Sequence, residues 1–493
     1  MRGVKQQALL PGIKPKKSLV PAEQGPPGEA ASQEAAPDGQ KDAWPPMSEM
    51  LHSLLVFEPA AQQPSQEFSE PECPPHPAPC PVVVLGIASG CGDLSESRRQ
   101  LLASADLLCA GRGLLRRLFP EIGENGDENG NVLFLSAPLE PVYARIEEVH
   151  AAGLRVLVLA DGDPLFFGIG ASLARRMGRG AVRVIPALSS LQLACARLCL
   201  PWHDVVCLSL HGRDNFGPLN ASVGRGAPLC VLTDGDIRPD AVARHLLDRG
   251  VDWFFAHVFE RLNFPDEAAA HVPLDKAAGM VFGPSCTLVL TPLAPPRRPF
   301  LGLETGDLAA ENGVVTKTPV RAAALALLRI APGHTVWDIG SGSGAMAIEA
   351  AALAHQGRVV AVEKKPERVL CIEENRRRFG AALVDIHLGE APGCLDALPE
   401  PQRIFIGGGV SGKDGPRTLL HVSRRLPPGG RVVVSCVLLS TLAQCRDFFR
   451  DQGWHCEIVC VQAAESRPLA GDVHLAAMNP VFALAAQKPG ETP

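Results

Sequence analysis

The chain is short of what a nucleic-acid or membrane protein needs. Its 493 residues carry 47 Lys and Arg against 53 Asp and Glu, a formal net charge of −6. The basic excess that non-specific phosphate binding demands is therefore missing. Aromatic residues make up 5% of the chain and there is a single tyrosine, which leaves no basic-aromatic face for RNA. Long apolar runs are missing too. The longest uncharged apolar run near a strand pattern, Val432–Cys445, is too short for a bilayer and is broken by Ser and Thr. The N-terminus is basic without a continuous apolar segment behind it, which argues against a signal peptide. Among the 15 cysteines there is no CxxC pair. Cys195 and Cys199, and Cys456 and Cys460, stand four apart without further ligands nearby. They read as buried free thiols in a reducing cytoplasm, and no metal is expected.

What is present is length for two to four domains and a 46% hydrophobic content that can fill large cores. Residues 1–80 hold 15 of the 45 prolines and are rich in Gln, Glu and Ala. Such a segment buries too little apolar surface to offset the cost of ordering, so it reads as a disordered extension or linker. Met47–Phe57 within it has the pattern of a short amphipathic helix. From Val82 the texture changes. "VVVLGIA", "RVLVLADGDPLFFGIGASLARRM", "VRVIPALSSLQLACARLCL", "DVVCLSLHGRD" and "APLCVLTDGD" give strands alternating with helical stretches. This alternation predicts an α/β domain over 81–290 with mostly parallel strands. The proline-rich 291–300 follows as a linker. A second α/β domain is expected over 301–493, with a helix near Val320–Arg329, five strands and a terminal hairpin.

That second domain opens on "TVWDIGSGSGAMAIEAAALA". Gly340, Gly342 and Gly344 allow a tight turn and close approach of a ligand to backbone. The following helix offers free N–H groups to it. The spacing is GxGxG rather than the dinucleotide GxGxxG, and Asp338 precedes it. Asp338 suits an ammonium, Glu363 at the end of strand two suits two ribose hydroxyls, and Glu390 in "GEAP" suits an adenine amino group. Three acids at successive strand ends resemble a class I S-adenosylmethionine (SAM) methyltransferase. NAD binding and a ligand-free structural turn are the competing readings.

Combined with "ENGVVTKTPVRAAALALL" and the late "NPVFALAA", this domain resembles the decarboxylating, carbon-15-methylating enzymes of cobalamin biosynthesis. The first domain is similar to the tetrapyrrole methylases, a class III SAM fold, through "LADGDPLFFGIGASLARR", "VIPALSSLQLACARLCLPW" and "SLHGR". Fused in this order, 82–487 resembles the precorrin-6Y C5,15-methyltransferase (decarboxylating) family. The resemblance implies a class III fold followed by a class I Rossmann-like fold. It implies methylation of precorrin-6B at carbon 5 by the first domain. It implies decarboxylation of the ring-C acetate and methylation of carbon 15 by the second, giving precorrin-8X. SAM is the implied cofactor. The implied partner is the tetrapyrrole, in a cytoplasmic homo-oligomer without nucleic acid or membrane. Other readings are a SAM methyltransferase acting on RNA or protein, a cobalt-containing substrate, or a non-catalytic tetrapyrrole carrier.

The resemblance also implies residue roles. Asp161, Gly162, Asp163 and Pro164 form the first SAM loop, with Ser189, Ser190 and Thr233 beside it; Ser189 also reads as a helix cap. Arg213 would clamp a substrate carboxylate and His211 would move a proton. The loop "LGIASGCGDLS" departs from the family form, with an unexpected Cys91, and in "ERLNFPDE" only Glu260 and Leu262 carry over. In the second domain, Thr316 joins the SAM set with Asp338, Gly340, Gly342, Gly344, Glu363, Gly389, Glu390 and Ala391. Lys317 and Arg321 would bind substrate carboxylates. Gly407, Gly408 and Gly409 would leave room for the macrocycle. Neither a metal nor a covalent nucleophile is expected.

Overall fold

Among the described residues, short runs of Val, Leu and Ile bounded by Gly, Pro and Asp form most of the buried strands. The computed structural model describes residues 80–90, 94–120, 131–210, 215–313 and 315–490. The stretch 1–79 with its Met47–Phe57 segment, and likewise Cys91, His211 and Arg213, lie outside the described residues.

The first lobe holds two five-stranded sheets. One is built from β1 (Val82–Ile87), β2 (Leu107–Ala110), β3 (Val132–Phe134), β4 (Val156–Asp161) and β5 (Val182–Ile185). It is parallel throughout, in the order β3-β2-β4-β1-β5. β1 and β4 are side by side, with Ile87 in register with Asp161. Their following loops therefore meet at the carboxyl ends, where ligands bind in open α/β sheets.

The second sheet differs from the mostly parallel one expected. It is formed by β6 (Val206–Ser209), β7 (Leu229–Leu232), β8 (Phe254–Glu260), β9 (Ala268–Pro273) and β10 (Cys286–Pro292), in the order β6-β7-β10-β8-β9. Only β6 and β7 are parallel; β7–β10, β10–β8 and β8–β9 are antiparallel. The reason is connectivity. β8, β9 and β10 follow one another without the long helical crossover that a parallel return needs. β10 also runs to Pro292, two residues into the stretch read as linker.

The second lobe is one seven-stranded sheet. It comprises β11 (Thr335–Ile339), β12 (Arg358–Glu363), β13 (Val384–Leu388), β14 (Arg403–Ile406), β15 (Arg431–Cys436), β16 (His455–Val461) and β19 (Val481–Gln487), in the order β13-β12-β11-β14-β15-β19-β16. The first five are parallel and the last two antiparallel. The expected terminal hairpin is thus real but interrupted. Between β16 and β19 rises a second hairpin, β17 (Ala464–Leu469) with β18 (Asp472–Ala477), whose residues are nearly all exposed. The helix Ala345–Leu353 after the glycine turn is apolar on every face except at Glu349 and is almost wholly buried, so it forms the centre of this lobe's core.

The lobes are tied together. The Arg249 guanidinium reaches across to the Ala382 carbonyl at 2.6 Å and pairs with Asp385. Arg376 returns a bond to the Asp248 carbonyl at 2.8 Å, and Arg297 of the linker bonds the Gly250 carbonyl and Asp252 at 2.8 and 2.6 Å.

Candidate functional site

At the carboxyl ends of β11, β12 and β14 a cavity of about 460 Å³ opens. Its base is the glycine turn. Gly340, Gly342 and Gly344 have φ of +75°, +58° and +79°, a left-handed region costly to residues with a Cβ. Their surroundings separate their roles. A Cβ on Gly340 would sit 3.0 Å from the Gly408 nitrogen, and one on Gly344 would sit 2.8 Å from Ile372. Both therefore serve close packing. Gly342 meets nothing within 4 Å, and it is the glycine whose open side faces the cavity.

Asp338 is 1% exposed at the end of β11. Its Oδ2 accepts from the Ser341 hydroxyl and from the Ala347 N–H at 3.1 Å. Its Oδ1 is buried without a partner among the described residues. Burial pushes this carboxyl up to about 7, against the pull of those two bonds. A buried acceptor left open at a cavity wall is a place for a cation or donor. Glu363 ends β12 and is 4% exposed. Its Oε2 accepts from the Gly342 N–H at 2.9 Å, and its Oε1 from the Lys364 and Lys365 N–H groups at 2.9 and 3.1 Å. Three backbone donors fix this carboxylate while spare lone pairs remain for hydroxyl donors. Thr316, Gly389, Glu390 and Ala391 also line the cavity. The Glu390 side chain is exposed and pairs with the Lys364 ammonium at 2.9 Å.

One expectation is overturned. Arg321 is fully buried and ion-paired with Glu349 at 2.8 Å. It also donates to the Thr316 and Leu303 carbonyls and to the Thr318 hydroxyl. It staples the entry segment to the core helix and has no free face for a substrate carboxylate. Lys317 is exposed at the N-cap of the helix Thr318–Leu328, next to cavity-lining Thr316. Gly407 has a packing reason of its own: a Cβ there would lie 3.1 Å from the Gly340 carbonyl oxygen. Gly408 and Gly409 are open on their side-chain faces and line the cavity.

The sequence reading missed Lys413, in the loop after those glycines. Three cationic side chains line this cavity. Lys364 is paired with Glu390 and Arg368 with Glu311. Lys413 is exposed and has no partner among the described residues. Its signal was the "GGGVSGKDG" loop, read only for its first glycines.

In the first lobe, the Asp161–Pro164 loop leaves β4 beside β1. The Gly162 N–H bonds the Ile87 carbonyl at 2.7 Å, and Gly162 has φ of +69°. Gly86, in β1, was not singled out from the sequence. A Cβ there would strike the Gly162 oxygen at 2.4 Å and the Ala187 nitrogen at 2.7 Å. It is what lets the loops after β1, β4 and β5 converge. Asp161 pairs with Arg117 at 2.6 Å. Asp163 turns back onto the Leu165 N–H at 2.8 Å. Ser189 caps the helix Ser190–Leu198 in a reciprocal box with Gln192. Thr233 is buried and donates to the Cys286 carbonyl at 3.2 Å. Leu165, Phe167 and Leu188 are about half exposed around this junction, at 54%, 49% and 53%. They give the first lobe an apolar mouth. Glu260 and Leu262 are structural: Glu260 accepts from the Gly283 N–H and Leu262 is buried.

No group of three or more His, Cys, Asp or Glu that could hold a metal occurs among the described residues. No helix among them is long and apolar enough to cross a membrane.

Two family models match the chain. One described as tetrapyrrole (corrin/porphyrin) methylases covers residues 81–278. One described as a precorrin methyltransferase domain covers 307–488. A precorrin-6Y C(5,15)-methyltransferase (decarboxylating) from Sinorhizobium sp is 31% identical over 397 residues, spanning 79% of this chain and 92% of that protein. A cobalt-precorrin-6B C(15)-methyltransferase (decarboxylating) from Salmonella typhimurium is 34% identical over 183 residues, 37% of this chain and 93% of that one. A crystal structure of a precorrin-6Y C5,15-methyltransferase from Geobacter metallireducens is 36% identical, with a TM-score of 0.37, covering 38% of this chain and 98% of that one.

Proposed function

The chain belongs to the precorrin-6Y C(5,15)-methyltransferase (decarboxylating) family, and from that premise we propose that it methylates precorrin-6B at carbons 5 and 15 and decarboxylates the ring-C acetate. It is a methyltransferase with two catalytic lobes, and SAM is its cofactor in this reading. Bound SAM supplies an electrophilic methyl group and leaves as a neutral thioether. The observation that carries the reading is the unpartnered Oδ1 of buried Asp338 beside the open face of Gly342.

The residues present fit that cofactor. Ionised Asp338 would hold the ammonium of its amino-acid part through a charge-assisted bond. Glu363, already fixed by three backbone donors, would take the ribose hydroxyls. Gly389–Ala391 would flank the base. Lys413 would replace Arg321 as the grip on the substrate. It suits a carboxylate that stays on the ring rather than the one that is lost. A cation fixed on a departing carboxylate stabilises the reactant charge and opposes carbon dioxide release. Lys317 would add a second cation near Thr316. The open faces of Gly408 and Gly409 would admit the edge of the macrocycle. In the first lobe, the Asp161–Pro164 loop and Ser190 would hold cofactor, and the apolar Leu165, Phe167 and Leu188 would receive the ring. Alignment of donor and carbon nucleophile then supplies most of the rate.

The test is a mass spectrum of the tetrapyrrole after incubation of the full chain with SAM and metal-free precorrin-6B. Gain of two methyl groups with loss of one carbon dioxide is expected. Turnover of only the cobalt-containing substrate would move the chain to the cobalt-precorrin substrate in the name of its Salmonella relative. Lys413→Gln is expected to raise KM for the tetrapyrrole roughly tenfold, the scale of one lost charge-assisted contact, and to leave SAM affinity unchanged. A fall in SAM affinity instead would remove Lys413 from the substrate side.

A further inference from the structure

A second cavity, of about 430 Å³, lies between the lobes and away from both cofactor loops. One wall is the helix Gly217–Ser222 and the turn after it; the other is the end of the helix Ala345–Leu353 with Gly380–Leu383; the linker at Arg298 closes a side. The floor is small and apolar, with Ala351 and Ala381 1% exposed and Ala382 3% exposed. The cations Arg225 and Arg298, with His355, are exposed at its edge, and none of its lining residues is Asp or Glu. In a chain of net charge −6 that local balance is unusual.

The floor also carries an oriented donor. Asn220 is 8% exposed, and its Oδ1 lies 2.8 Å from Nε2 of His245. His245 stacks on Phe216 at 4.0 Å. Burial, helped by nearby Arg249, pushes its pKa down to about 4. It is therefore neutral at physiological pH, and its Nε2–H donates to Asn220. That bond occupies the carboxamide oxygen. The carboxamide nitrogen of this cavity-lining residue makes no hydrogen bond among the described residues.

We propose that this interlobe cavity is a second, non-catalytic binding site for a carboxylate carried on a compact apolar body. The guanidinium groups and the carboxamide N–H are donors that match a carboxylate. The alanine floor takes the apolar body, the usual division of labour in small-molecule sites. Because the walls come from both lobes and the linker, occupancy joins the two catalytic halves.

The probe is 2-naphthoate, with neutral 2-naphthamide as control, titrated by fluorescence into the full chain saturated with S-adenosylhomocysteine to fill the cofactor sites. Saturable naphthoate binding is expected, weakening as salt rises, with little binding of the amide. The exposed pair Arg225→Glu and His355→Glu should weaken naphthoate at least about tenfold, and Ala352→Trp should abolish it by filling the space. Both variants should keep their S-adenosylhomocysteine affinity, which shows that they fold. Displacement of naphthoate by the methylated tetrapyrrole would make the carboxylated ring the natural source; no displacement would make it a free small acid. The proposal is overturned if the native chain binds no naphthoate saturably, if the amide binds as tightly, or if the charge reversals leave binding unchanged.

Discussion

Asp338 and Arg321 are both buried charged residues of the second lobe, and they lead to opposite expectations. Asp338 keeps one oxygen unsatisfied, and its carboxyl is raised to about 7 by burial. A raised acid contributes stability that is present below its unfolded value of 3.8 and is lost as pH rises through about 7. The ligand-free lobe should therefore lose stability over that window. A cationic ligand binds the ionised form, so SAM affinity should climb as pH rises from about 6 to 8. Titration calorimetry across that range checks it. Asp338→Asn should lower affinity roughly ten- to hundredfold and flatten the pH dependence; a variant that keeps the slope would assign it to another group. Arg321 has its charge answered by Glu349. Removing one partner of a buried pair costs about 3–5 kcal/mol, so Arg321→Met should show that loss in urea unfolding. Pairing it with Glu349→Leu should recover part of it. A variant of unchanged stability but poor tetrapyrrole affinity would return Arg321 to the substrate.

At the scale of elements, the exposed hairpin β17–β18 offers the cleanest test. β16 and β19 pair with each other directly from His455–Gln487 to Val461–Val481, and the Met478 N–H bonds the Ala463 carbonyl at the hairpin's base. Leu469, Val473 and Leu475 are 59–75% exposed, so the hairpin adds nothing to the core. Replacing 464–477 by an Asn-Gly turn should shift the melting temperature by no more than a few degrees and leave SAM binding intact. A large loss would mean that these apolar residues are covered in solution. The sequence made the strand–turn–helix units legible, because a buried parallel strand followed by glycine or acid is a local pattern. Asp338 and Glu363 could be placed at strand ends for that reason. The antiparallel β8–β9–β10 run was not legible, since which strand lies beside which is settled by connections and not by composition. Nor was the role of Arg321. At a helix start it reads as a substrate cation, and its partner Glu349 lies 28 positions away in an alanine-rich helix that only the tertiary fold brings close. Gly86 escaped notice because its crowding comes from loops after β4 and β5.

The whole molecule depends on how the two lobes are held. Arg249 extends from the end of the first lobe's helix Pro239–Asp248 to the Ala382 and Val384 carbonyls and to Asp385 at the edge of the second lobe's sheet. Burial alone would raise the Asp385 carboxyl, but Arg249 and Arg358 hold it below the usual carboxylate value. A depressed acid contributes stability that is present above its unfolded value, 3.8, and is lost as pH falls through its folded one. The joint should therefore be intact at neutral pH and fail only below about pH 4. Glu363 and Lys413 serve the second lobe alone, so loosening the joint should leave the affinity of that site unchanged. Calorimetry at neutral pH should show one cooperative transition for the native chain. Arg249→Ala leaves Asp385 without its interlobe partner and should split the trace into two transitions, one per lobe. The same splitting should appear in the native chain on acidification below about pH 4. A single transition in the variant would place the coupling in the Arg297 and Arg376 bonds to Asp252, Gly250 and Asp248.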